Sequence, residues 1–367
     1  MNETTIDAVG LAASSSTPVA RLNVPFEFRA TGSEYFRIWI VNLLLTIVTL
    51  GIYSAWAKVR RLRYFYGSTL LDGHSFEYHA TPMAILKGRL LVFAAYVVFL
   101  VVTQMYPLSV LLFLVFFIFA VPWIIMRARL FQMRMTSYRN LRFNFHGTYG
   151  GAMSAFIGWY FIAILTIGIV FPMWVRRQVA YILGNTAFGT TQFRFVTGNG
   201  RFFAFCYATM GLGLLVYGAL IYLLIQIGLF NPQNNPEMSA ADLAQMIGIA
   251  GFCKLLLIAM AGVSIYGYYQ AAHNNASIGG IEIGQTRVVS RLRASSLIWI
   301  QVTNLLGVLF TLGLFYPWAK VRVMRYQIEN TSLDTAGGIG EFTAAAGSAK
   351  DALGEELGDF FDVDFGF

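Results

Sequence analysis

Thr49-Leu50-Gly51-Ile52-Tyr53-Ser54-Ala55-Trp56-Ala57-Lys58-Val59-Arg60 closes one apolar stretch of this chain. Thr311-Leu312-Gly313-Leu314-Phe315-Tyr316-Pro317-Trp318-Ala319-Lys320-Val321-Arg322 closes another, at a constant offset of 262 residues, and Tyr64 and Tyr326 keep that register. A third copy, offset by 117 residues, retains Thr166, Gly168, Arg177 and Tyr181. It carries Pro172-Met173-Trp174-Val175 where the outer copies have Trp and Lys. Repetition at fixed register points to a fold assembled from one copied unit. The unit here is an apolar segment with a basic, aromatic exit.

The solvent of that unit is lipid. Apolar residues make up 57% of the chain and charged residues only 12%, against roughly 25% charged in an ordinary soluble domain. Mean hydropathy is +0.61, and several apolar runs reach the ~20 residues that cross a hydrocarbon core. The net charge of +8 gathers at segment ends, in Lys58 to Arg63, Lys87 and Arg89, Arg127 to Arg142, Arg287 to Arg293 and Lys320 to Arg325. Cations flanking spans carry the positive-inside signal and belong in the cytosol. Because they sit beside apolar spans, nucleic acid is not an expected partner. Cys206 and Cys253 lie in apolar runs, without the spacing of a disulfide framework or a metal site.

Three regions are expected. Residues 1–23 read as a small, polar, disordered tail lacking the basic and apolar regions of a signal peptide. Residues 24–334 form a repeated polytopic membrane domain, and 335–367 an acidic, aromatic tail with Asp351, Glu355 and Glu356 before Phe360 and Phe361. Paired spans are expected over 90–126, turned at Tyr106-Pro107, and over 202–266, joined by a Pro/Asn-rich connector at 231–237. Thr/Gly-centred segments cover 36–56, 152–174 and 297–318. Each is long enough to cross once, yet basic residues flank both ends. Single crossing and re-entry on one side both stay open.

Short alternations precede the insertions: Phe26-Glu27-Phe28, Phe76-Glu77-Tyr78, Phe143-Asn144-Phe145, Phe193-Arg194-Phe195 and Ile281-Glu282-Ile283. Their period is that of a half-buried strand. Asp72-Gly73, Phe188-Gly189-Thr190 and Gly279-Gly280 supply hairpin-turn chemistry before three of them. The chain thus reads as about five units of strand, membrane insertion, basic helix and return strand. Open strands cannot lie in lipid with unpaired backbone groups, so a small juxtamembrane β layer is expected. The fold class read from these patterns is a membrane all-α fold: a polytopic helical bundle with internal repeats, plus short juxtamembrane β-strands and hairpins.

The two long copies of the Thr-Leu-Gly phrase, with the Phe-x-Phe strand before them, resemble the YjgN-like family of bacterial inner-membrane proteins, grouped as a domain of unknown function. The resemblance runs from about Val24 to Thr331, and the middle copy departs from it at Pro172 to Val175. It implies a location and an architecture, and brings no catalytic residues.

No catalytic constellation, cofactor motif or metal-ligand spacing stands out, and the chain is not expected to be an enzyme. His79 and His146 occupy equivalent places in their units and are the one pair that could converge on a metal. Polar residues inside apolar segments are costly in lipid without a role, so Asn42, Gln226, Lys254 and Asn304 are candidates for a polar pathway. Thr49/Gly51, Thr166/Gly168 and Thr311/Gly313 are candidate hinges or re-entrant breaks. Trp56, Lys58, Arg60, Arg63, Arg177, Trp318, Lys320, Arg322 and Arg325 are candidate contacts to anionic phospholipid. The acidic tail could engage a protein partner or this basic belt. The functional expectation is an inner-membrane protein that handles a small solute or lipid in the manner of a transporter, with its basic loops cytoplasmic. A membrane-organising or partner-binding role is the alternative.

Overall fold

A computed structural model describes residues 21–226 and 248–336, with isolated positions up to 343. The tail at 1–20, the connector at 231–237 and the acidic stretch from Asp351 lie outside the described residues. Five times the chain runs strand, helical hairpin, strand. The first unit is β1 (Leu22–Phe28), α1 (Gly32–Val48), α2 (Ser54–Gly67) and β2 (Thr69–Leu71). The second is β3 (His74–Tyr78), α3 (Pro82–Met105), α4 (Ser109–Arg134) and β4 (Thr136–Tyr138). The third is β5 (Leu141–Phe145), α5 (Tyr149–Leu165, π-helical over Met153–Gly158), α6 (Phe171–Gly184) and β6 (Thr186–Phe188). The fourth is β7 (Thr191–Phe195), α7 (Asn199–Gln226), α8 (Ile249–Ser277) and β8 (Ile281–Ile283). The fifth is β9 (Thr286–Ser290), α9 (Ala294–Phe310), α10 (Tyr316–Glu329) and β10 (Thr331–Thr335).

Each strand pairs antiparallel with its neighbours in chain order, and β1 pairs with β10, so ten strands close into a barrel. The expected all-α bundle is therefore corrected: the strands organise the fold, and the helices are insertions between them. Local pattern hid this because the strands are only 3 to 7 residues long, and closure rests on Leu22 meeting Thr335, a pairing that no local window reports. Leu22, Asn23 and Thr335, read as tail, are strand residues. Ile281-Glu282-Ile283 is also corrected: it ends the fourth unit rather than opening the fifth, and the turn before the fifth is Gly284-Gln285.

The register fixes where the helices go. Phe28 pairs with Thr69, Tyr78 with Thr136, Phe145 with Thr186, Phe195 with Ile281 and Ser290 with Thr331. These residues flank the five insertions, so every helical hairpin leaves and returns at the same rim. Two-residue turns close the other rim. Asp72, Gly73, Arg139 and Asn140 all have positive φ there, the conformation that matches the right-handed twist of paired strands.

The barrel is solid. Strand side chains alternate between its two faces, and every strand sends an apolar side chain inward, including buried Leu71, Tyr138, Phe188, Ile283, Val288 and Leu333. Phe26, Phe76, Phe143 and Phe193 follow one another around the lumen, with successive ring centroids 6.2, 6.4 and 6.4 Å apart, the first two pairs stacked and the last edge-on. The Tyr138 hydroxyl donates to Leu71 O at 2.7 Å, so the plug holds no orphaned phenol. Exposed outward positions are polar, among them Glu27, Glu77, Arg194 and Arg287, while outward Leu70 and Ala187 are buried. A barrel facing lipid would carry the reverse pattern, so the outer face of this one suits water rather than hydrocarbon.

Among the described residues four helices, corresponding to α3, α4, α7 and α8, are long and apolar enough to cross a membrane. No more than 11% of each apolar window is buried within the protein. Apolar surface on this scale is the kind that a membrane covers.

Candidate functional site

The three Thr/Gly segments break in one way. Leu50 and Gly51 have φ of 48° and 94°, Ile167 and Gly168 51° and 82°, Leu312 and Gly313 50° and 94°. Gly51 N donates to Thr46 O at 2.8 Å, Gly168 N to Ala163 O at 2.7 Å and Gly313 N to Val308 O at 2.7 Å, the closure that ends a helix on a left-handed residue. The threonine serves both sides of each break. Thr311 Oγ1 donates to Gly307 O at 2.7 Å and accepts from Phe315 N at 2.9 Å; Thr49 and Thr166 do the same. Thus the helix stops, its freed groups are satisfied, and the chain turns back. Gly313→Val is expected to cost about 1–2 kcal/mol, because a side chain disfavours this backbone region. Gly67→Ala, at the end of α2 with nothing within 4 Å of the added carbon, should be neutral or stabilising. Equal effects in detergent unfolding would rule out the left-handed turn.

A tyrosine staples the base of each hairpin. Tyr64 Oη bonds the backbone N and O of Thr31, Tyr181 Oη donates to Thr148 O, and Tyr326 Oη bonds the N and O of Arg293. At the other end the tips are bare: Leu50 is 94%, Ile167 93% and Leu312 94% exposed.

Between the hairpins, against the barrel plug, lies a cavity of about 580 Å³, within the usual range of ligand sites. Phe26, Thr69, Phe76 and Thr331 form its floor, and Arg61, Leu62, Phe65 and Tyr66 of α2 face Tyr316, Lys320, Met324, Gln327 and Ile328 of α10. Asn274 and Ile278 at the base of α8, with Leu292, complete it. The first, second, fourth and last units meet here, although their residues are far apart in sequence. Burial and the neighbouring Arg89 and Arg61 push the Lys58 ammonium below its ordinary pKa, and burial and Arg61 lower that of Lys320. A single sequence could not reveal this chamber, because its walls converge only when β1 finds β10.

The expected sites are distributed otherwise. Asn304 (5% exposed) ties α9 to α10: its Nδ2 donates to Ala319 O at 3.1 Å, and its Oδ1 accepts from Arg322 at 2.8 Å. Asn42, its counterpart in α1, is also buried, but its Oδ1 has no partner. Both lie about 15 Å along their helices from the barrel rim. Lys254 lies about 35 Å and Gln226 about 40 Å along theirs, so the four polar residues do not form one path. The Gln226 side chain lies outside the described residues.

Several basic candidates have structural partners. Arg63 donates to Tyr78 O and Ala80 O of the second unit, and Arg325 to Ala30 O of the first at 2.7 Å. Arg176 grips Thr197 O of the fourth unit in the same way. These guanidiniums clamp one unit to the next. Trp318 packs on Phe36, and a Cβ on Gly32 would fall 2.2 Å from its ring. Trp56 packs beside Tyr53, and Arg177 lies over the Trp159 ring. Arg60 is exposed. His79 bonds Ser137 Oγ at 2.7 Å and approaches Glu77 at 3.4 Å through the same nitrogen, which is not the orientation of a catalytic triad. Among the described residues no group of three His, Cys, Asp or Glu could hold a metal.

The family described as "Bacterial protein of unknown function (DUF898)" matches residues 23–360, nearly the whole chain. The chain belongs to that family. Among curated DUF898 relatives, the Salmonella typhimurium (strain LT2) protein named "Inner membrane protein YjgN" is 28% identical over 348 residues, covering 83% of this chain and 87% of the relative. Proteins of the same name from Escherichia coli K12 and O157:H7 are 24% and 23% identical, each covering 86% of this chain and 90% of theirs. No solved structure matches this DUF898 chain at a significant level. With four lipid-length helices and relatives so named, it is a membrane protein.

Proposed function

We propose that this protein lies in the inner membrane with its barrel in the cytosol, and that it holds or moves a lipid or small solute of the cytosol-side leaflet without transforming it chemically. The observation that supports this most is the chamber itself, walled by helical hairpins and floored by a packed barrel. The plug closes the barrel axis, so movement would run laterally, between hairpins and leaflet. The units would descend from one duplicated element, as the strand–hairpin–strand order of all five and the tyrosine staples and breaks of the first, third and fifth suggest.

Depth supports the placement. Lys58 stands one turn into α2, about 6 Å below Ser54, so the tip of that hairpin passes only about 10 Å beyond a cation. Uncharged α3 continues about 24 Å from Arg89 to Met105. The paired spans would cross, whereas the Thr/Gly hairpins would stop within one leaflet and hold the chamber near headgroup level. Basic residues around the common rim orient that side to the cytosol. In cells whose protein lacks Cys206 and Cys253, a cysteine replacing Tyr106 should react with an impermeant thiol reagent from the periplasm. Cysteines replacing Leu50 or Leu312 should not. Periplasmic labelling of Leu50→Cys would end the leaflet placement.

A further inference from the structure

We infer that the occupant of the chamber is an anionic amphiphile, an acidic phospholipid whose head meets Arg61 and Lys320 and whose acyl chain lies along the aromatic wall. This rests on the reading that the chamber holds a membrane ligand, and goes beyond it by naming the ligand's chemistry.

Charge is the first support. Arg61 and Lys320 line the chamber, and Lys58 and Arg89, outside its lining, lie within electrostatic reach of Arg61, so four cations form one group. Arg89 donates to Ser54 Oγ on α2, which holds it in the group. No Asp or Glu lines the chamber, and among the described residues none of the four cations is in an ion pair. Like charges assembled without a counter-ion repel, and the repulsion grows as water leaves. An anion relieves it and gains charge-assisted hydrogen bonds.

An unused donor is the second support. Gln327 Nε2 on α10 is buried without an acceptor, and Gln327 lines the same chamber. A buried donor left unpaired costs about 1–3 kcal/mol, and a phosphate or carboxylate oxygen supplies the missing acceptor. The apolar part of the lining argues for a tail: Phe26, Phe65, Phe76, Leu62, Met324 and Ile328 offer nothing to a free inorganic ion.

The test uses the full chain purified in detergent. Binding of dioleoylphosphatidylglycerol, dioleoylphosphatidylcholine and inorganic phosphate is compared by native mass spectrometry. The anionic lipid should bind at least about tenfold more tightly than the zwitterionic one, the factor that 1.4 kcal/mol represents. The Arg61→Gln/Lys320→Gln double variant should lose that preference while still binding phosphatidylcholine. Lys320→Arg should keep it, which separates charge from folding, and a Gln327→Leu change should weaken the anionic lipid selectively. Equal retention of both lipids by the native protein would overturn the inference and leave the membrane-ligand reading standing. Phosphate binding without either lipid would overturn the amphiphile. No binding by any probe would remove the membrane-ligand reading itself.

Discussion

Phe188→Ala is expected to destabilise the protein by about 3–5 kcal/mol, the usual cost of deleting a fully buried aromatic ring. Phe188 is 1% exposed, at the centre of the barrel plug, 4.9 Å from the Phe143 ring and 6.2 Å from that of Tyr138. A ring of nearby strands cannot collapse into the void, because each is pinned by ladder bonds on both sides. Phe116→Ala is the control. That residue lies on α4 and is 61% exposed to what we read as lipid, so its loss should leave stability close to native. Both variants are compared by chemical unfolding in detergent, followed by tryptophan fluorescence. If the Phe116 variant lost as much as the Phe188 variant, the solid barrel would not be the centre of stability.

The second large effect is expected at Asn304 rather than at Asn42. Asn304→Leu removes an acceptor from Arg322 and a donor from the Ala319 carbonyl. Stranding the buried Ala319 carbonyl costs about 1–3 kcal/mol. Asn42→Leu removes a carboxamide whose oxygen is already unpartnered, so it should be neutral or stabilising. The two positions are equivalent in the repeat, but Asn304 bonds the following helix through Ala319 O and Arg322, whereas Asn42 Oδ1 has no partner. A loss at Asn42 equal to that at Asn304 would mean that Arg60 closes on it in solution.

Much of the architecture can be read from the chain because the units are local. The Phe-x-Phe alternations mark the leading strands β1, β3, β5 and β7, and Asp72-Gly73 marks one turn by its backbone chemistry. What escapes is everything that needs two distant segments at once. Thr286–Ser290 has no aromatic signature, so β9 was displaced onto Ile281–Ile283. Closure by β1 and β10 turns a β layer into a barrel, and the chamber follows from that closure. The basic residues were legible as a belt but not in their separate duties. Arg63 and Arg325 bond backbone across unit boundaries, while Arg61 faces the chamber. Composition reports charge near a membrane; it does not say which guanidinium has a carbonyl within reach.

Leu22 meets Thr335 across the last seam of the barrel, and Arg325 reaches back over it to Ala30. During synthesis the earliest strand therefore waits for almost the whole polypeptide to leave the ribosome before its outer edge is covered. A nascent protein stalled after the fourth unit would present two raw strand edges to the cytosol, and such edges invite pairing with other chains. Biogenesis would then depend less on inserting the greasy hairpins than on shielding an unfinished cylinder until its final stave arrives.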